Sequence, residues 1–323
     1  MIASDLFDEI LVKPAKNGGN KLYIVSGYAT SAMASHHLNF LKEKEYNVEI
    51  NLTVGMSALD GLTASNHRGF QQLAERDFEE AFSCGYVVRM PAVHAKTYAW
   101  FKNDEPLFGF AGSANYTQTA FGKKQREAMV ECSALACFEY YKRLQKDTIF
   151  CTHIDAENLV QIYNDRTYAR LQRERKISED VDIEKSAIEG LSHISINFLD
   201  RSGKLPERSG LNWGERPEYG RNPNQAYIRV PSSVYNTDFF PSIGTHFTVL
   251  TDDDIPLICT RAQANGKAIH TPLDNSLIGL YFRTRLGLPS GALITKEDLL
   301  RYGRTTVDFY KIDDETYYMD FSV

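Results

Sequence analysis

A chain of 323 residues, 43% hydrophobic and 24% charged, is long enough for two ordinary domains and has a globular composition, not a fibrous, disulfide-built or disordered one. Its 36 Lys and Arg against 42 Asp and Glu give a net charge of -6, which excludes a histone-like polycation but leaves room for a local basic surface. No apolar run approaches the ~18–20 residues of a membrane helix. The N-terminus lacks the basic and apolar regions of a secretory signal, and five cysteines without a C-x-x-C suit reduced thiols in a cytoplasm.

Residues 22–28 form a short apolar run after the turn Asn17-Gly18-Gly19-Asn20 and predict a buried strand. An amphipathic helix is expected over 31–44, with Leu38 and Leu41 inward, and strict alternation predicts a strand over 48–54. A second helix is expected over 66–83, with Phe70, Leu73, Phe78 and Phe82 on its apolar face. Residues 86–90, 93–101, 107–111 and 127–132 are rich in strand formers. The order implies an α/β domain over 1–150, a mixed sheet with packed helices. Residues 135–176 favour helix and end in a basic cluster (Arg166, Arg170, Arg173, Arg175, Lys176), followed by an acidic stretch, 178–184. This makes 151–189 a helical linker. From 190 to 323 short β runs alternate with dense turn signals, which predicts a mainly β domain, a small barrel.

His94-Ala95-Lys96 lies in one of the expected strands, where a period of two puts the imidazole and the ammonium on the same face. The pattern occurs once. Downstream, Gly112-Ser113-Ala114-Asn115 would put Ser113 and Asn115 on a common face if the chain stays extended, and Glu127 opens the next strand. Together these residues suit phosphoryl transfer without a metal or an organic cofactor. An imidazole can attack phosphorus and hold a covalent intermediate. Lys96 would stabilise the non-bridging oxygens, with Ser113 and Asn115 donating to the same atoms. Glu127 could accept the second ring N–H of His94 and fix its tautomer, although Glu131, on the same strand parity, could take that role.

This set of residues resembles the phospholipase D superfamily, and more narrowly its branch of BfiI- and NgoFVII-type restriction endonucleases. The superfamily often has Asp five residues after the Lys; here the position is Phe101. The segment from Lys96 to Gly112 is also longer than in the lipid-cleaving members. The resemblance implies a phospholipase D-like N-terminal domain and a metal-independent type II site-specific deoxyribonuclease that cuts double-stranded DNA. Relatives need two His-x-Lys motifs per site, so a single copy implies a homodimer sharing one site. It also implies a companion methyltransferase encoded separately, and leaves open an ATPase partner. The rival readings are a phospholipase D-type lipid hydrolase or transferase and a DNA-binding regulator with an inactive nuclease domain.

Residues 201–229 hold six bases against three acids, interleaved with Asn212, Trp213, Tyr219, Asn222 and Asn224. Arg and Asn make the bidentate contacts that read guanine and adenine edges. Arg208, Asn212, Trp213, Arg216 and Arg221 are therefore expected on one DNA-binding arm, and Arg283 and Arg285 on a second. The domain resembles the plant B-three-type pseudobarrel that some of these endonucleases use for recognition. Remaining candidates have bland readings. Cys132, Cys137, Cys151 and His153 fit no common zinc spacing. His36 and His37 are expected on a helix surface, and Asp252-Asp253-Asp254 in a solvated turn.

Overall fold

In the computed structural model, which describes residues 1–122, 125–164, 191–253 and 255–323, the chain divides into two units, Met1–Tyr168 and Ala169–Val323. The first holds β1 (Lys21–Ser26), β2 (Glu49–Val54), β3 (Leu62–Thr63), β4 (Phe82–Val87), β5 (Lys96–Lys102), β6 (Glu105–Gly112), β7 (Met129–Cys132), β8 (Thr148–Phe150) and β9 (Ile162–Tyr163). Seven of these make one sheet in the order β7-β6-β5-β1-β2-β4-β8. Its centre, β1, β2 and β4, is parallel, and β5, β6, β7 and β8 join antiparallel. Burial on both faces explains why β1 reads as a short apolar run, whereas β2 keeps an alternating pattern. Leu22, Ile24 and Trp100 share one face by register, and the Trp100 indole donates to Ile10 O at 2.8 Å, tying the N-terminal turn Phe7–Val12 to the sheet. On the other face, Tyr23, Ala99 and Phe101 pack on Cys137 and Phe138 of the helix Ala134–Leu144.

Four boundaries fall elsewhere than the sequence suggests. The helix expected over 66–83 runs Ala64–Gln72, widens to a π turn over Leu73–Asp77 and stops at Phe78, whose backbone (φ -144°, ψ 44°) is non-helical; Phe82 pairs with Ile50 in β4 instead. The strand expected from Val93 begins at Lys96, because Ser26↔Lys96 is the last pair of the β1–β5 ladder and the Val93 amide donates to Gly55 O. Helix after 135 ends at Leu144, and β8 follows. Past residue 150 the chain stays with the first unit: the Cys151 amide donates to Cys84 O, and β9 pairs with β3. The basic cluster 166–176 and the acidic stretch 178–184 lie outside the described residues.

The second unit contains β10 (His193–Asn197), β11 (Ile228–Arg229), β12 (His246–Thr251), β13 (Pro256–Ala262), β14 (Ala268–His270), β15 (Thr306–Lys311) and β16 (Thr316–Asp320). They form a single sheet in the order β10-β15-β16-β12-β13-β14-β11, antiparallel except for the β12–β16 pair. Its core is strongly aromatic, with Phe247, Phe282, Phe309, Tyr317 and Phe321 fully buried. The long connection from β10 to β11 carries the expected first arm.

Candidate active site and nucleic-acid interface

Three loops meet at the carboxyl ends of β1 and β2 and the start of β5, the place where open α/β sheets bind ligands. The Gly55 amide donates to Ser26 O, the Met56 amide to Gly27 O and the Val93 amide to Gly55 O. Gly55 is required by this close approach: a Cβ there would lie 2.0 Å from Val93 O. The loop before β5 is thereby pinned, and it carries His94.

The His94 side chain is exposed, whereas Lys96 is buried at the head of its strand. Lys96 Nζ donates to His94 O at 2.7 Å and stands 3.0 Å and 3.1 Å from the two ring nitrogens. Nearly equidistant from both, the ammonium lies over the face of the ring and not along the in-plane lone pair of either nitrogen. Burial holds the Lys96 ammonium below its usual range, and the negative charge of Glu127 works in the opposite direction. On the far side of the ring, Gly27 leaves no side chain between His94 and Asn115: a Cβ would sit 3.0 Å from His94 Cδ2 and 3.4 Å from Asn115 Oδ1.

Asn115 Oδ1 accepts from the Tyr28 amide at 3.1 Å and from Ser26 Oγ at 3.5 Å, which leaves the Nδ2 hydrogens as the donors this amide can offer a bound anion. Ser113 does not share its face, as the chain turns after Gly112. Its Oγ donates to the Glu127 carboxylate and accepts from the Ala128 amide at 3.0 Å. Glu127 therefore engages Ser113, not the second ring nitrogen of His94 as expected. The charge of Glu127 is felt by Lys96, whereas Glu131 stands further along β7, opposite Phe110.

Two neighbours were not singled out from the sequence. Tyr28 presents its ring edge-on to His94 (centroids 5.9 Å apart, 78°) and donates its hydroxyl to Asp60 Oδ2 at 2.6 Å. The glycines closing both parallel strands, Gly27 and Gly55, were the available signal for this loop cluster. His37, expected on the surface, is buried with Nδ1 2.9 Å from the Tyr116 hydroxyl, and burial drives its pKa down to about 3. Cys132 and Cys137 bring their sulfurs to 3.4 Å, and among the described residues no three His, Cys, Asp or Glu side chains gather as metal ligands would.

In the second unit the expected reader residues separate into two groups. Asn212 is buried and clamps main chain: it donates to Pro206 O at 3.1 Å and Ile294 O at 2.8 Å, and accepts from the Ile294 amide at 2.9 Å. Arg283, also buried, donates to Ala292 O, Gly279 O and Pro223 O. Arg285 binds Asp252 Oδ2 at 2.5 Å and the Tyr302 hydroxyl at 2.9 Å, so Asp252 sits in an ion pair and not in a solvated turn. Of the expected second arm, Arg283 is thus internal scaffolding, its donors spent on carbonyls, whereas Arg285 is half-buried, held through Nη2 while its Nε is buried without a hydrogen-bond partner. The first arm remains at the surface. There Arg208 pairs with Glu218, Arg216 Nε donates to Arg208 O at 3.0 Å, and Arg221 lies 4.0 Å over the Trp213 ring with Tyr219 beside it. One nitrogen of Arg221, Nη1, is buried without a hydrogen-bond partner.

The sheet with its single His-x-Lys at the strand ends, followed by a separate β unit, defines a phospholipase D-type domain joined to a B3-like DNA-binding domain. The chain belongs to the NgoFVII restriction endonuclease family: residues 4–158 match the NgoFVII restriction endonuclease N-terminal PLD domain, and residues 186–313 the NgoFVII C-terminal B3-like DNA-binding domain. No curated protein matches the sequence. Among solved structures, NucT from Helicobacter pylori is similar at 13% identity and a TM-score of 0.31, over 43% of this chain and 87% of that one. Polyphosphate kinase from Porphyromonas gingivalis is similar at 13% identity and 0.32, over 55% of this chain and 28% of that one. Among the described residues no helix is long and apolar enough to cross a membrane.

Proposed function

We propose that this nuclease-family chain is a type II endonuclease that hydrolyses double-stranded DNA at specific sequences, through a phosphohistidine and without a metal. The observation that carries the proposal is the exposed His94 imidazole with the buried Lys96 ammonium against its ring nitrogens. His94 attacks phosphorus, forming an N–P bond as the bond to the leaving oxygen breaks. Lys96 and the Asn115 amide neutralise the non-bridging oxygens. The leaving oxygen needs a proton, and with one His-x-Lys per chain its source is the partner's His94, so the active species is a homodimer with one shared site. In the second step water attacks phosphorus, the partner's imidazole takes the proton, and the N–P bond returns its electrons to His94. Ser113 acts on Glu127 and on the turn into β7, not on the phosphate.

Sequence selection falls to the first arm, with Arg221 held on Trp213 as its reader and Arg208 and Arg216 fixing the loop. A companion methyltransferase, encoded separately, would protect the host site. Incubation of plasmid DNA with the protein in EDTA tests the reading. Fragments with discrete ends, lost in His94→Ala while duplex binding persists, are expected. Cleavage only after magnesium is added, or binding without cleavage, would overturn it.

A further inference from the structure

The imidazole of His94 is exposed, and a nucleophile that must meet phosphorus in line needs its ring plane fixed. Lys96 Nζ lies over the ring face on its nitrogen side, so it does not define the opposite edge. That edge faces Gly27 and the Tyr28 ring, an edge-to-face contact at 78°. Tyr28 is 37% exposed, so packing alone does not hold it, but its hydroxyl is tied to Asp60, which is buried. Asp60 in turn sits in a short helical turn, Ser57–Asp60, whose backbone is anchored to the same loops: the Asp60 amide donates to Met56 O, and the Met56 amide to Gly27 O. The Tyr28 amide meanwhile orients the Asn115 carboxamide. One residue therefore touches both the nucleophile and the group proposed to stabilise the phosphate oxygens, and its side chain is moored to the neighbouring strand-end loop.

We propose that Tyr28, moored by Asp60, is a positioning residue that sets the plane of the His94 ring. The inference rests on His94 being the nucleophile. It is tested on the whole 323-residue chain with bis(p-nitrophenyl) phosphate, a small diester whose turnover does not depend on sequence recognition. Tyr28→Phe keeps the ring and loses the mooring; Asp60→Ala loses the same mooring from the other end; Asp60→Asn retains an oxygen that can accept the tyrosine hydroxyl.

Tyr28→Phe and Asp60→Ala should each lower kcat by roughly 10-fold, within the range that a misplacement of under an ångström produces, with KM and the unfolding temperature near those of the unmodified protein. Asp60→Asn should recover most of the loss. Tyr28→Ala, which also removes the ring contact, should fall further. Equal kcat in Tyr28→Phe, Asp60→Ala and the unmodified protein would overturn the proposal, as would an Asp60→Asn protein no better than Asp60→Ala. Rate losses that simply follow a fall in unfolding temperature would overturn it too. His94→Ala serves as the reference: an inactive His94→Ala with fully active Tyr28 and Asp60 variants defeats this inference alone, whereas an active His94→Ala defeats the reading beneath it.

Discussion

Replacing Gly27 by alanine adds one carbon between His94 and Asn115, the two groups that the proposed mechanism brings to the same phosphate. That carbon would lie 3.0 Å from His94 Cδ2, about 0.5 Å inside the ~3.5–4.0 Å at which carbon atoms pack without repulsion. It would also lie 3.4 Å from Asn115 Oδ1, a contact that needs no further movement. The imidazole is exposed and can give way, so the ring and not the backbone absorbs the shortfall, and stability should change by less than about 1 kcal/mol. A displacement of 1 Å at a reacting group costs about 100-fold in rate, so half of it predicts roughly a 10-fold loss, about 1.4 kcal/mol in the barrier. Single-turnover cleavage of plasmid DNA with protein in excess reads the rate, and thermal unfolding reads the stability. Gly55→Ala is the contrasting case: its added carbon meets the carbonyl oxygen of Val93 at 2.0 Å, backbone has to move, and roughly 1–3 kcal/mol of stability should be lost with the activity. A Gly27→Ala protein that cuts at the normal rate would refute the idea that close approach fixes the imidazole. One that loses rate only in proportion to stability would refute it as well.

Lys96 must be cationic to act on phosphate oxygens, and burial already lowers its pKa while Glu127 raises it. Glu127→Gln should therefore move the alkaline limb of the kcat/KM profile to lower pH; a limb that stays or moves up would contradict the assignment. Asn212→Ala and Arg283→Met each abandon three main-chain hydrogen bonds in the second unit and should lower its unfolding free energy by about 2–4 kcal/mol. Denaturation midpoints that do not move would contradict this. Trp213→Ala removes the ring under Arg221, a contact worth roughly 0.5–2 kcal/mol, and should weaken binding to the mapped cleavage site by about 2- to 30-fold while leaving non-specific binding unchanged. A gel-shift titration with an unaltered cognate affinity would take Trp213 out of recognition.

That His94, Lys96 and Asn115 come together was legible in the sequence because their chemistry is dense and their spacing is short. The separation of Ser113 from Asn115 was not. It depends on Gly112 pairing with Met129 and on the chain turning there, so that Ser113 reaches the head of β7 while Asn115 reaches β1. The local spacing says nothing about which strand each will meet. For the same reason Glu127 could be read as a partner of His94 until the register put Ser113 in front of it. In the second unit, Arg283 and Arg221 look alike in sequence; only the tertiary fold decides that one spends its donors on buried carbonyls and the other lies on an indole. Phe82 was read as helical because its spacing from Phe78 fits a helix turn, yet the π turn before Phe78 ends that helix and β2 claims Phe82.

The most direct test is to trap the covalent step. End-labelled duplex DNA carrying a mapped site, mixed with the protein in EDTA and quenched in alkaline denaturant where phosphohistidine survives, should yield a protein–DNA adduct whose modified peptide contains His94. An adduct on another residue would contradict the mechanism. So would complete cleavage with no adduct at any time, or no reaction until a divalent cation is supplied.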